Sequence, residues 1–222
     1  MSSHPPDADE RLAAARAGSP EALGQALDGA RDYLLAVANR EQTSNYPGDI
    51  AVYVNAKSVP TSYIGFSFYY YDYCAYDSKG DLYIDGQNNS GFGFELGELH
   101  KGRRTIEMVR EAQQIAAPGG VAWDGTHVAV ADLVGNAIYE FTVKNDKATL
   151  AGTTPLNGST GEVSQFGLDG STVVVPVASS GSNSGPVQYY NYPAGGSPTQ
   201  SITNGVFFPN ASVVSPATTP KP

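Results

Sequence analysis

The spacing of apolar residues changes once along the chain. From Asp7 to about Gln42 they recur at steps of three and four. Leu23, Ala26, Leu27, Ala30, Leu34, Val37 and Ala38 fall on one face of a helix predicted over about Pro20–Glu41. Ser19 suits the N-cap, Pro20 the first helical position and Glu21 the first turn. A shorter helical run covers Asp9–Ala17, and Gly24 and Gly29 each weaken the longer helix by roughly 1 kcal/mol against alanine. The breaker-rich loop Thr43–Gly48 ends this pattern, and the period then drops to two.

Strand signals start with Ile50–Val54 and Thr61–Ile64, and continue through the aromatic run Ser67–Tyr76, which reads as an inner strand packed on both faces. Three similar layouts follow. A first strand ends at Asp77, Asp124 or Asp169, and these aspartates lie 47 and 45 residues apart. A glycine-containing turn leads to a second strand at Leu82–Asp85, His127–Asp132 or Val173–Val177. A third strand follows at Phe92–Leu96, Ala137–Phe141 or Val187–Asn191. The outer strand is Thr105–Val109, Ala148–Ala151 or Thr199–Ile202. Pro176 reads as a break within its strand. Repeats in the forties with four short strands each indicate a β-propeller. The expected fold is all-β: a partial propeller of three full four-stranded blades plus part of another, with a short α-helical N-terminal extension. The expected divisions are 1–43 helical extension, 44–48 linker, 49–216 partial propeller and 217–222 tail.

Composition narrows the function classes. Of 222 residues, 25 are Gly, 15 Pro and 14 Tyr, while only 16% are charged. Such a chain suits many short strands joined by tight turns and argues against disorder. The formal net charge of -9 is spread without a basic block, so the β region is not expected to bind nucleic acid, and the aromatic run is read as core rather than as a base-stacking platform. Cys74 is the single cysteine and reads as a buried structural thiol. The N-terminus lacks the basic and apolar regions of a signal peptide, and no run reaches the length of a membrane span, which predicts a cytoplasmic protein.

Candidate chemistry is sparse. Asp85 and Asp132 occupy matching positions at the ends of two second strands, with Asn88 and Asn136 just beyond, and Ala178 stands at the third such place. Oxygen ligands of this kind suit Ca²⁺, and the same residue types also cap turns by accepting backbone N–H bonds. His4, His100 and His127 fall in a tail, a polar turn and a strand. Ser159 and Ser182 lie in glycine-rich loops without a nucleophile elbow. Gly91–Gly93 lacks the context of a dinucleotide loop, and Lys101–Arg104 reads as a solvated basic turn.

Two resemblances accompany these readings. Leu12, Ala15, Arg16, Gly18, Ser19, Glu21–Gly24, Leu27 and Arg31–Leu34 resemble the start of an extracytoplasmic-function sigma factor, over about 7–41, without the promoter-reading parts of that family. Val128–Phe141 resembles an NHL-type repeat. Asp81–Asn88, Pro118–Gly125 and Tyr192–Pro198 resemble uncharacterised propeller-like proteins of soil bacteria, usually exported or envelope-associated, over about 48–216. The related gluconolactonase-type hydrolases hold a divalent metal with inner-strand Asp, Asn and Glu. That resemblance implies a metal role for Asp85, Asp132, Asn88 and Asn136. The leading expectation is a non-enzymatic propeller binding or structural module, from a truncated or hybrid reading frame, which either closes its ring by dimerising or is poorly soluble. The alternatives are a metal-dependent lactonase-like hydrolase and a sigma-factor remnant that binds RNA polymerase.

Overall fold

A computed structural model describes residues 34–40, 48–54, 59–89, 93–111, 113–159, 161–178, 185–212 and 214. The predicted Asp9–Ala17 helix and most of the Pro20–Glu41 helix lie outside these residues. So does the sigma-like segment, except residues 34–40. The chain divides into two units, residues 1–36, 52–61 and 216–222 in the smaller and 37–51 and 62–215 in the larger. The described residues contain no helix, and all regular structure is strand. None of their segments is a helix long and apolar enough to cross a membrane.

The first departure from expectation is at Leu34–Asn39, which forms strand β1 instead of the end of a helix. Leu34, Leu35 and Val37 are all more than a third exposed, so the apolar helical face foreseen there is not what is buried. The backbone instead pairs in the three-stranded sheet β1-β2-β3, with β2 at Asp49–Val54 and β3 at Thr61–Tyr63. Sheet hydrogen bonding has overridden local helix propensity. In the smaller unit, the described residues are 34–36, 52–54 and 59–61, and Val59 is 91% exposed.

In the larger unit, β4 (Phe68–Tyr76), β5 (Leu82–Asn88), β6 (Phe94–Leu99) and β7 (Glu107–Glu111) form an antiparallel meander. The strands β8 (Pro118–Trp123), β9 (Val128–Asp132), β10 (Ala137–Lys144) and β11 (Lys147–Pro155) form a second. The outer strands of these two sheets touch: β7 and β11 pair in parallel at Arg110–Lys147 and Glu111–Ala148, making one eight-stranded sheet. The last sheet is five-stranded: β12 (Glu162–Val163), β13 (Gly167–Asp169), β14 (Thr172–Ala178), β15 (Val187–Asn191) and β16 (Gln200–Ile202).

Each core cluster lies between two successive meanders. Leu96, Val109 and Tyr83 of the first meet Val121, Val130 and Phe141 of the second. Ala129, Ala131 and Ile138 of the second meet Phe166, Val175 and Tyr190 of the last. Small residues allow this approach. A Cβ on Gly119 would stand 2.7 Å from the carbonyl oxygens of both Ala131 and Val163, so only glycine lets β8 come this close to the next sheet.

Two strand expectations need correction. Pro176 does not break β14, which runs unbroken from Thr172 to Ala178. The irregularity lies in the neighbouring strand. Thr172–Val174 pair with β13 and Val177–Ala178 with β12, so proline's missing donor falls at the gap between them. The aromatic strand β4 is not packed on both faces: Phe68 and Tyr71 are buried and stacked, but Tyr69 is 43% exposed. Its register with β5 slips twice, leaving Tyr69 and Asp72 as extra residues in two β-bulges.

Candidate functional site

The sequence-predicted residues separate once folded. Asp132 ends β9, and its carboxylate accepts four backbone N–H bonds. Ala116 (3.0 Å) and Ala117 (3.4 Å) precede β8, while Val134 (3.3 Å) and Gly135 (3.1 Å) follow Asp132 in the turn to β10. Asn136 closes that turn with a positive φ of 50°, and its carbonyl accepts from the Leu156 amide at 2.9 Å. These two residues act as a clip between a turn and the neighbouring strand start.

Asp85 differs. It stands inside β5, not at its end, because the bulged β4 continues to pair with Gly86, Gln87 and Asn88. Its side chain is fully buried. Oδ1 accepts from the Tyr73 amide at 2.9 Å, whereas Oδ2 has no partner. Burial, then the nearby Asp72 charge, pushes the Asp85 carboxyl well above the usual range, against the pull of the Tyr73 amide. Asn88 ends β5, and its amide donates to the Gly93 carbonyl at 2.8 Å.

Sequence reading missed the residue that the bulge presents. Asp72 is unpaired in the β4–β5 register, and its side chain is 8% exposed. Oδ1 lies 2.9 Å from Nε of Arg40, and Oδ2 is buried without a partner. Burial raises the Asp72 carboxyl, and Arg40 offsets only part of that. Arg40 in turn lies over the Tyr70 ring, 5.1 Å from its centroid. Asp72 and Arg40 line a cavity of about 170 Å³ to which β4, the start of β8, β12 and the end of β14 all contribute. Tyr73, also in its wall, is pushed up to about 12 by burial and by Asp85 and Asp72. One signal was available in the sequence: a lone acid inside a nine-residue aromatic strand.

Other candidates have structural roles. Asp124 Oδ1 accepts from the Thr126 (2.7 Å) and His127 (2.6 Å) amides, and its Oδ2 takes the Tyr192 hydroxyl at 2.9 Å. Burial alone would raise Asp124, but these bonds hold it below the usual range. The His127 ring, 3.3 Å from the same carboxylate, belongs to this turn. Cys74 is pushed up to about 11 by burial and Asp85, which suits an unreactive thiol. His4 and Ser182 lie outside the described residues. At the far end of the first meander, Asp81, Glu98 and His100 bring three ligand atoms within 4.8 Å of one another, as do His100, Glu107 and Asp146. Neither group includes Asp85 or Asp132.

Neither a protein-family model nor a curated protein matches the sequence. Solved structures do. A chain of a nidogen/laminin complex is 11% identical at a TM-score of 0.56, covering 80% of this chain and 64% of its own. Regucalcin from Agrobacterium tumefaciens, described as a calcium-binding protein, is 12% identical at 0.55, covering 80% and 59%. The β-propeller domain of Cps50 (Swd1) from Myceliophthora thermophila is 12% identical at 0.52, covering 80% and 58%. The fold is therefore β-propeller-like, and the chain spans less than two thirds of the length of these structures.

Proposed function

We propose that the chain is a binding module built on a partial β-propeller. In this reading β4–β7, β8–β11 and β13–β16 are three four-stranded blades, β12 is an extra edge piece, and β1–β3 belong to another blade. The ligand site is the cavity beside Asp72. The observation that carries this reading is the cavity of about 170 Å³ that Asp72, the extra residue of a β4 bulge, lines together with Tyr73 and Gln87. Calorimetric titration of the full chain with a panel of small polar compounds tests it. Saturable binding that Asp72→Asn weakens supports the reading, and binding untouched by that substitution places the ligand elsewhere.

The second reading is a metal-dependent, lactonase-like hydrolase using Asp85, Asp132, Asn88 and Asn136 around Ca²⁺. The structural likeness to calcium-binding regucalcin favours it. The saturated Asp132 carboxylate opposes it, since its oxygens already serve four amides. Lactone turnover that requires Ca²⁺ and stops with EDTA would establish the hydrolase; the binding reading expects no turnover and no change in melting temperature with either addition. Self-association that completes the ring belongs to the binding reading and is measured by light scattering on the eluting species.

A further inference from the structure

Independently of the cavity beside Asp72, we infer that the far end of the first meander binds a divalent transition-metal ion such as Zn²⁺, held by His100 Nδ1, Glu98 and Asp81. Strand register, donor spacing and the surroundings of each ligand support the assignment.

The register gathers these residues. Leu82 of β5 pairs with Leu99 of β6, so Asp81 and His100, one position beyond each, meet at the strand ends. Tyr83 pairs with Glu98, and alternation puts Asp81, Tyr83, Glu98 and His100 on one face of the sheet. On the other side of β6, Glu98 stands directly opposite Glu107 of β7. Two acids so placed repel each other, which a cation between them offsets. The Glu98 side chain is only 6% exposed, so water does little of that work.

One imidazole serves this face. Its Nδ1 lies 3.3 Å from Glu98 Oε1 and 3.7 Å from Asp81 Oδ1, and its Nε2 lies 3.7 Å from Glu107 Oε2. A ring nitrogen carries at most one N–H, so a hydrogen bond from Nδ1 cannot answer two carboxylates.

A metal ion can. Zinc bonds of about 2.0–2.2 Å to nitrogen and carboxylate oxygen put the ligand atoms of a tetrahedral site about 3.3–3.6 Å apart, close to the separations at Nδ1. One imidazole nitrogen with two carboxylates suits Zn²⁺ and its transition-metal neighbours better than Ca²⁺, which takes about six to eight oxygens. Three protein ligands leave a fourth position for water.

The surroundings distinguish the two sides of the imidazole. Beside Nδ1, the Tyr83 hydroxyl hydrogen-bonds Glu98, and the Lys101 amide donates to Asp81 Oδ1 at 2.7 Å. Such contacts orient metal ligands. Beside Nε2, His100, Glu107 and Asp146 also converge, but Asp146 is exposed and shares its groove with Arg110 and Lys147, whose charges oppose a cation. Glu107 is then a positioning residue, the carboxylate facing the second nitrogen of a ligating histidine. His100 and Asp81 are partly exposed, which gives the ion a path from solvent.

The test uses the tag-free full chain, stripped with EDTA and dialysed, the same metal-free state from which the calcium and chelator comparison above starts. Calorimetric titration with ZnCl₂ is expected to show saturable binding, with CaCl₂ at least a hundredfold weaker. CoCl₂ should give the intense visible absorption of a four-coordinate ion. His100→Ala should weaken zinc at least a hundredfold and remove the cobalt bands. Glu98→Gln and Asp81→Asn should each weaken zinc at least tenfold; His100 and Asp81 are partly exposed, so their variants give the readout if the Glu98 variant does not fold. Glu107→Gln should weaken zinc about tenfold and keep the cobalt bands, as a residue acting through the imidazole does. Asp146→Asn and His127→Ala should leave zinc binding unchanged. Zinc binding that survives His100→Ala overturns the site. Loss with Asp146→Asn but not with Asp81→Asn overturns the choice of Nδ1. Calcium binding as tightly as zinc overturns the donor argument, and no zinc binding at millimolar concentration overturns the proposal, leaving His100 as an ion-pair partner of these acids. None of these outcomes bears on the cavity beside Asp72.

Discussion

Asp85 and Asp132 come from equivalent places in two repeats, and the fold gives them opposite fates. Asp132 receives four backbone N–H bonds from two segments and ties a turn to the start of β8. Asp85 receives one, and its second oxygen is buried with no donor. The difference begins one strand away. The β8–β9 register slips between Pro118 and Val121, early in β8, so Asp132 still closes its strand opposite Pro118. In β4 the bulge falls at Asp72, directly beside the Tyr73–Asp85 pair. The same residue type is thus a structural staple in one sheet and a buried, half-satisfied carboxyl in the other.

Substitutions at the two sites should move stability in opposite directions. The largest effect is expected from Asp132→Ala, which strips four amides of their acceptor and should cost about 3 kcal/mol in chemical denaturation. A loss below about 1 kcal/mol would show that water replaces the clip. Next, Asp85→Asn keeps an oxygen for the Tyr73 amide and removes a buried charge, so it should stabilise the chain at neutral pH by about 1–3 kcal/mol. Because the folded Asp85 carboxyl is raised, the folded state holds its proton longer than the unfolded chain. Its penalty is absent where both states are protonated and grows as pH climbs above the ordinary carboxylate range, near 4. The gain from Asp85→Asn should therefore shrink as pH falls toward 4. A pH-independent gain in thermal melts would mean that packing, not charge, is responsible. The smallest effect is at Asn136, which holds a left-handed φ of 50° in the clip turn. Asn136→Ala should cost about 1 kcal/mol and Asn136→Gly less, whereas equal losses would assign the role to the side chain.

What the sequence displays well is what repeats. The aspartates Asp77 and Asp124 both accept two amides of the following turn, and that chemistry is local enough to read from spacing. Strand positions follow from short apolar runs bounded by turn residues, and β5, β9 and β14 are buried at consecutive positions, on both faces. Three features were not legible for a common reason, namely that they depend on a partner strand. Leu34–Asn39 carries helix-forming residues yet pairs with β2. Pro176 is tolerated because β12 and β13 part beside it. Asp72 gains its importance from a register slip against β5 that no single strand encodes. The sequence places Arg40 at the end of a helix, so its meeting with Asp72, thirty-two positions on, is hidden with it.

The parallel contact between β7 and β11 has a consequence for how the molecule opens. Two meanders that share rungs at Arg110–Lys147 and Glu111–Ala148, with the Arg110 amide also bonded to the Asp146 carbonyl at 2.9 Å, cannot separate without breaking a continuous ladder. Amide protons of Leu96 in the first meander and Ile138 in the second should therefore exchange with solvent deuterium at similar, slow rates, as one cooperative unit. The β14–β15 ladder is not part of that ladder, so its protons are free to report a separate and earlier opening.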